Sequence, residues 1–250
     1  MRDREGEKMK KFELTAEYVT NIFGKKLFRI KALVAFGDVK EGDLGGFVEK
    51  ESNLANSGKA WVSGDAQISG DAQVSGDAQV SGNAWVYGSA KVYGNAYVYG
   101  NAWVFGDARV SGNARVSGNT KVFDDACVDD DAYVSGDAKI YGNARVFGDA
   151  RVSGDARVSC DARVSCDLDY ATVGGFGSEQ RASTFFIRKD GAIGVICGCF
   201  CGTIEQFRAK VKKTHKDSKY AQEYLMIADL MELHFAGGCD GNDKDNHSCL

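Results

Sequence analysis

NAWVYGSAKVYGNAYVYGNAWVFGDARV, residues 83–110, repeats every six positions, and that spacing decides the fold. Val stands at 86, 92, 98, 104 and 110, Ala at 84, 90, 96, 102 and 108, and Gly at 88, 94, 100 and 106. Followed outward, the aliphatic position recurs every six residues from Val62 to Val164 without a skip, eighteen times in all, each Val or Ile. Four residues after each but the last comes Ala, broken only by Thr120. An x-Val-x triplet is a short strand with Val inward and both neighbours outward. Gly followed by Asp or Asn supplies the left-handed or tightly turned backbone of a corner, and Ala is small enough to sit inside it. Three strands and three corners close a triangular coil of eighteen residues. The run predicts about six coils, a prism roughly 29 Å long at one strand spacing per coil. Each coil buries its Val only against its neighbours, so both ends need caps. The expected chain is mainly β: an N-terminal tail and β cap over 1–53, a parallel β-helix over 54–167, a small α+β domain over 168–236, and a flexible tail over 237–250.

Residues eighteen apart stack on one face of such a prism. The first face carries Gln67/Ser69, Trp85/Tyr87, Trp103/Phe105, Lys121/Phe123, Lys139/Tyr141 and Arg157/Ser159. The second holds Trp61, Tyr97, Tyr99 and Tyr133, and the third Tyr93 and Phe147 beside Lys91, Arg109, Arg145 and Arg163. Aromatic residues favour strands and stack well between coils. A connected patch of rings is also more apolar surface than a monomer usually leaves bare. Trp85, Tyr87, Trp103, Phe105, Phe123 and Tyr141 therefore form the candidate contact face, covered by another subunit, a terminal segment or a ligand. The last coils present Arg145, Arg151, Arg157 and Arg163, a basic collar and candidate anion site, since Arg suits phosphate bidentately. Asp149, Asp155 and Asp161 at adjacent corners offer the plainer reading of balanced surface charge. The cluster Asp124, Asp125, Asp129, Asp130 and Asp131 reads as solvated turn acids, because its spacing matches no calcium loop.

The eighteen repeats resemble the hexapeptide-repeat family, and the match covers residues 54–167. That resemblance implies a left-handed β-helix like that of many acyltransferases. The stretch LFRIKALVAFGDVKEGDLGGFVEKESNLANSGKAWV, residues 27–62, is similar to the lead-in of acyltransferase-like hexapeptide proteins of enterobacteria and of phage or prophage genomes. The family's common trimers of parallel prisms make a homo-oligomer, a trimer first, the expected cover for the aromatic face.

The 250-residue chain is 44% hydrophobic with a formal charge of −4, so its charge total demands neither nucleic-acid duplex nor membrane. The first residues, MRDREGEKMKKFEL, lack the apolar core of a secretory signal, which points to the cytoplasm of a bacterial host and to eight reduced thiols. After residue 167 the period ends. A strand near residues 171–173, a hairpin turning at Lys189-Asp190-Gly191, a helix capped by Thr203 and Gln206, and a second helix starting at Asp217 or Ser218 are expected. This module is too small for a comfortable core of its own and is expected to pack on the open end of the prism. Cys197, Cys199 and Cys201 alternate and would share one face of a strand. With Cys239, His247 and Cys249 they are zinc candidates, but the spacing is no recognised finger, and buried thiols are the expectation.

Acyl transfer needs a base to take the acceptor's proton, and in the resembling enzymes a repeat His supplies it. Here His215, His234 and His247 all lie outside the repeats, and the coils carry no inserted loop. The three His ligands of the related carbonic anhydrases are likewise missing from the repeats, as are a phosphate loop and a Thr ladder for ice. The sequence predicts a non-catalytic binding or scaffold protein without cofactor. It is expected to be a phage or prophage accessory factor that captures a small nucleotide-type anion or a host protein. Acyl-CoA-dependent transfer and a structural or tail-associated phage role are the alternatives.

Overall fold

The computed structural model describes residues 10–237. It is a parallel β-solenoid closed at both ends, followed by a four-stranded antiparallel sheet and two helices. Three strands open the chain: β1 (Phe12–Thr20), β2 (Lys26–Ala32) and β3 (Leu44–Val48). Eighteen two-residue strands follow at six-residue intervals, β4 (Trp61–Val62) through β21 (Arg163–Val164). They sort into three parallel sheets in which each strand pairs with the one eighteen residues away, as Trp103 with Lys121. Every Val or Ile of the column is fully buried, and so are the corner Ala residues and Thr120, whose hydroxyl donates to Ser117 O at 2.6 Å.

There are about seven turns, one more than the six-residue run predicts. β3 pairs in parallel with β5 (Gln67–Ile68), setting Val48 beside Ile68, and Leu54 bridges Val74. These offsets are twenty residues, not eighteen. Two extra residues between Leu54 and Val62 break the strict period, which hid this first turn.

A stack of parallel strands leaves unpaired backbone groups at each end, an invitation to edge-to-edge association. At the N-terminal end β1 and β2 extend the first sheet as an antiparallel hairpin. Asn53, 1% exposed, donates its amide to Gly70 O (3.0 Å) and Ala72 O (2.8 Å). At the far end, backbone N–H groups of the last turn find side chains: Arg151 N donates to Asp167 (2.7 Å) and Arg157 N to the Thr184 hydroxyl (2.9 Å).

The cap at that end is the sheet β22 (Tyr170–Val173), β23 (Ser183–Ile187), β24 (Ile193–Cys197) and β25 (Phe200–Thr203), in that spatial order. Alternation on β23 splits its side chains between two layers. Phe186, with Ile196 of β24, joins the apolar core of the solenoid. Phe185 and Val195 point the other way, into a second core with α1 (Ile204–His215) and α2 (Lys219–Phe235). Gly194 makes room for this plug, since a Cβ there would lie 2.4 Å from the Phe186 ring. Both helix starts fall where expected, α1 capped by Thr203 with Gln206 and α2 by Ser218. No helix among the described residues is long and apolar enough to cross a membrane.

One buried charge sits in the N-terminal cap. Lys11 is 4% exposed, donates to Ala60 O at 2.8 Å and lies 4.8 Å from the centre of the Phe36 ring. Burial lowers its pKa to about 8, against the opposing pull of Asp77. Below that pH the folded protein holds an ammonium that the unfolded chain keeps in water, so the residue costs stability. Between about 8 and 10.5 the folded state has released the proton while the unfolded chain still binds it, and the cost fades as pH rises. Lys11→Met is therefore expected to gain more stability over wild type at pH 7 than at pH 10, by up to about 3 kcal/mol. Urea midpoints of both proteins at the two pH values measure it; an equal difference at both would show that Lys11 is not charged at a cost.

Candidate functional site

The first face of the solenoid carries two side-chain columns, set by the positions on either side of each buried Val or Ile. In one, Tyr87, Phe105, Phe123 and Tyr141 stack face to face, with centroids 4.9, 4.9 and 5.0 Å apart and planes within 4°. In the other, Trp85 stacks on Trp103 at 5.0 Å and 7°. These spacings equal one strand separation, so the backbone itself delivers the rings at stacking distance. All six residues are half-buried. Phe23, from the β1–β2 turn, packs against Tyr87 at 5.3 Å, and burial pushes the Tyr87 phenol up. Ring faces inside the columns are thus taken by other rings, and edges are what the columns offer outward.

The tryptophan column then changes chemistry. Lys121 continues it, with its Nζ 4.6 Å from the centre of the Trp103 ring. Lys139 and Arg157 follow in register, one per turn. None of these three makes an ion pair among the described residues. Beside them opens a groove of about 490 Å³ between the solenoid and the segment leading into β23, which contributes Arg181 and Ala182. Asn119, Asp137 and Asp155, at the solenoid corner preceding these strands, line it as well. The Asp137 carboxylate is engaged along the corner, where amides pass hydrogen bonds from Asn83 to Asn101, Asn119 and finally Asp137. Asp, an acceptor alone, suits the end of that ladder.

Of the four arginines of the basic collar, only Arg157 enters this groove. Arg145 and Arg163 lie on the third face, Arg145 3.8 Å from Asp129 and Arg163 donating to Asn143 O at 3.1 Å. Arg151 lies on the second face. Eighteen-residue arithmetic already aligns 121, 139 and 157, so the cationic column was readable. Arg181 was not, because its place depends on how the C-terminal sheet docks.

The cysteine reading is corrected. Cys197 ends β24, Cys199 lies in the turn and Cys201 belongs to β25, so a tight hairpin, with Cys197 opposite Phe200, separates residues that alternation placed on one strand face. Cys197 and Cys199 are free, as is Cys127, whose thiol is pushed up by burial. Cys160, at a corner of the last full turn, brings its sulfur against that of Cys201 on β25. No group of three metal-ligating side chains gathers among the described residues. Cys239, His247 and Cys249, with the tail from 238 onward, lie outside them. The acidic cluster serves the corners: Asp124 and Asp130 adopt positive φ and accept from Gly142 N and Gly148 N of the next turn, and Asp129 accepts from Ser111 Oγ at 2.8 Å. His215 closes α1 with its ring 5.6 Å from that of Tyr224, and His234 lies on α2 against Phe235.

Compared with known proteins, the chain matches a family model described as the YdcK beta solenoid repeat at residues 78–94, 108–122 and 138–154. All three stretches fall on solenoid turns, in agreement with the fold. No curated protein matches the chain.

Proposed function

We propose that this β-solenoid is a non-catalytic binding scaffold that captures a small anionic, nucleotide-type ligand and works as a homo-oligomer in a bacterial cytoplasm, as a phage or prophage accessory factor. The observation that carries the reading is the register of Trp85, Trp103, Lys121, Lys139 and Arg157, an apolar strip running into a cationic one. A rigid stack that repeats one chemistry per turn suits recognition more than proton transfer. His215 and His234, the described candidates for a base, sit in the helical layer and do not line the groove. The edge-on rings beside the strip form a flat apolar surface suited to a second copy of the chain.

Native mass spectrometry on protein purified without denaturation tests the reading. An oligomer carrying a small adduct that denaturing spectra lack is expected, with mass reduced towards the monomer in a Trp103→Ser/Phe105→Ser variant. A clean monomer would overturn the oligomer, and acyl-CoA turnover by the purified protein would overturn the non-catalytic assignment.

A further inference from the structure

We infer that the groove at the junction of the solenoid and the C-terminal sheet is a site for an oligophosphate chain, the phosphate end of a nucleoside triphosphate or a free polyphosphate. The inference rests on the ligand-capture reading and names its ligand class. Lys121, Lys139 and Arg157 stand one per turn, so their backbone positions span two strand spacings, roughly 10 Å. Like charges carried one strand spacing apart repel, and more strongly near a protein surface than in bulk water. No carboxylate is paired with any of the three among the described residues, Asp137 and Asp155 lining the same groove without ion-pair contact, so a bound polyanion would relieve that repulsion further. Arg181, from the segment leading into β23, adds a fourth cation that is itself 3.4 Å from Glu179, so the three column cations face Asp137 and Asp155 with Arg181 beside them. A single phosphate would meet one or two of these cations; a chain of phosphates meets all of them in sequence.

The geometry also limits what else is read. Trp103 is covered by Trp85 on one side and by Lys121 on the other. A nucleobase finds no free ring face beside the cations, so the site takes the phosphate chain and discriminates weakly among nucleosides. Lys121 supplies a reporter, because an anion that draws it off the indole changes tryptophan fluorescence.

The test is a fluorescence titration of the full chain with tripolyphosphate, ATP and adenosine, repeated at raised salt. Tripolyphosphate and ATP are expected to saturate with similar affinity, weakened by salt, and adenosine to give no response. Lys139→Gln should lower affinity about tenfold, while Arg145→Gln, on another face, should leave it unchanged. Saturable binding of adenosine, or equal losses in the two variants, would overturn the site. An adduct in native spectra that Lys139→Gln retains at full occupancy would overturn this groove alone and leave the capture reading standing. Absence of both adduct and titration response would overturn the two together. Tighter binding of ATP than of tripolyphosphate would overturn the claim that nucleosides are not distinguished.

Discussion

Val110→Asp is expected to cost more than about 4 kcal/mol, while Arg109→Asp, one residue earlier on the same strand, changes stability by no more than about 0.5 kcal/mol. Val110 is fully buried, between Val92 and Val128 of the adjoining turns. A carboxylate there has aliphatic neighbours and no donor, so it must be buried unpaired or protonated at a raised pKa. Arg109 points outward, between Lys91 and Cys127. The damage in the first variant is also mechanical. Each turn touches only its neighbours, so a disrupted turn uncouples the two halves of the stack. Urea denaturation followed by circular dichroism separates the pair. A Val110→Asp protein that unfolds at the wild-type midpoint would show that this position does not face the core.

The corners yield the second large effect. Gly112 and Gly154 share the same slot and the same φ of +65°, so Ala at either pays for left-handed backbone, about 1–2 kcal/mol. They differ in what a side chain meets. At Gly112 a Cβ would lie 2.6 Å from Asp130 N and 2.8 Å from Asp130 O, backbone atoms held by the next turn. At Gly154, near the end of the stack, nothing lies within 4 Å. Gly112→Ala should therefore cost at least about 2 kcal/mol more than Gly154→Ala. Thermal or urea unfolding of the two variants measures the difference, and equal losses would mean that backbone strain alone accounts for the glycine.

The solenoid was legible because one short rule, an aliphatic residue every six positions, is repeated often enough to exclude other periods. The three faces followed from arithmetic, down to the Trp85/Trp103 and Tyr87-to-Tyr141 columns. The first turn escaped because two added residues shift Val48 and Leu54 out of phase, although their aliphatic character persists. β25 escaped for a different reason. Its Phe-Cys-Gly-Thr sequence has no alternation, and its pairing with β24 depends on a turn through Gly198, φ +60°. Of the candidate site, the column Lys121, Lys139, Arg157 was contained in the spacing, yet Arg residues invited grouping by type along the chain, which scattered them over three faces. Arg181 could be placed only once Phe186 and Ile196 had fixed where the sheet docks.

The unvarying turn has a consequence for how such a molecule can change in length. Every turn starts and finishes in the same orientation, so an in-frame duplication of eighteen residues inserts a spacer about 4.8 Å tall and hands the next segment on without rotation. The N-terminal hairpin and the C-terminal sheet would see the same joints as before. A six-residue duplication would add a third of a turn and swing one end against the other by about 120°, carrying the groove away from the aromatic columns while preserving every buried Val and Ala. Distance between the two ends and their relative angle are thus separate settings, changed by different multiples of one unit, and the hydrophobic interior registers neither.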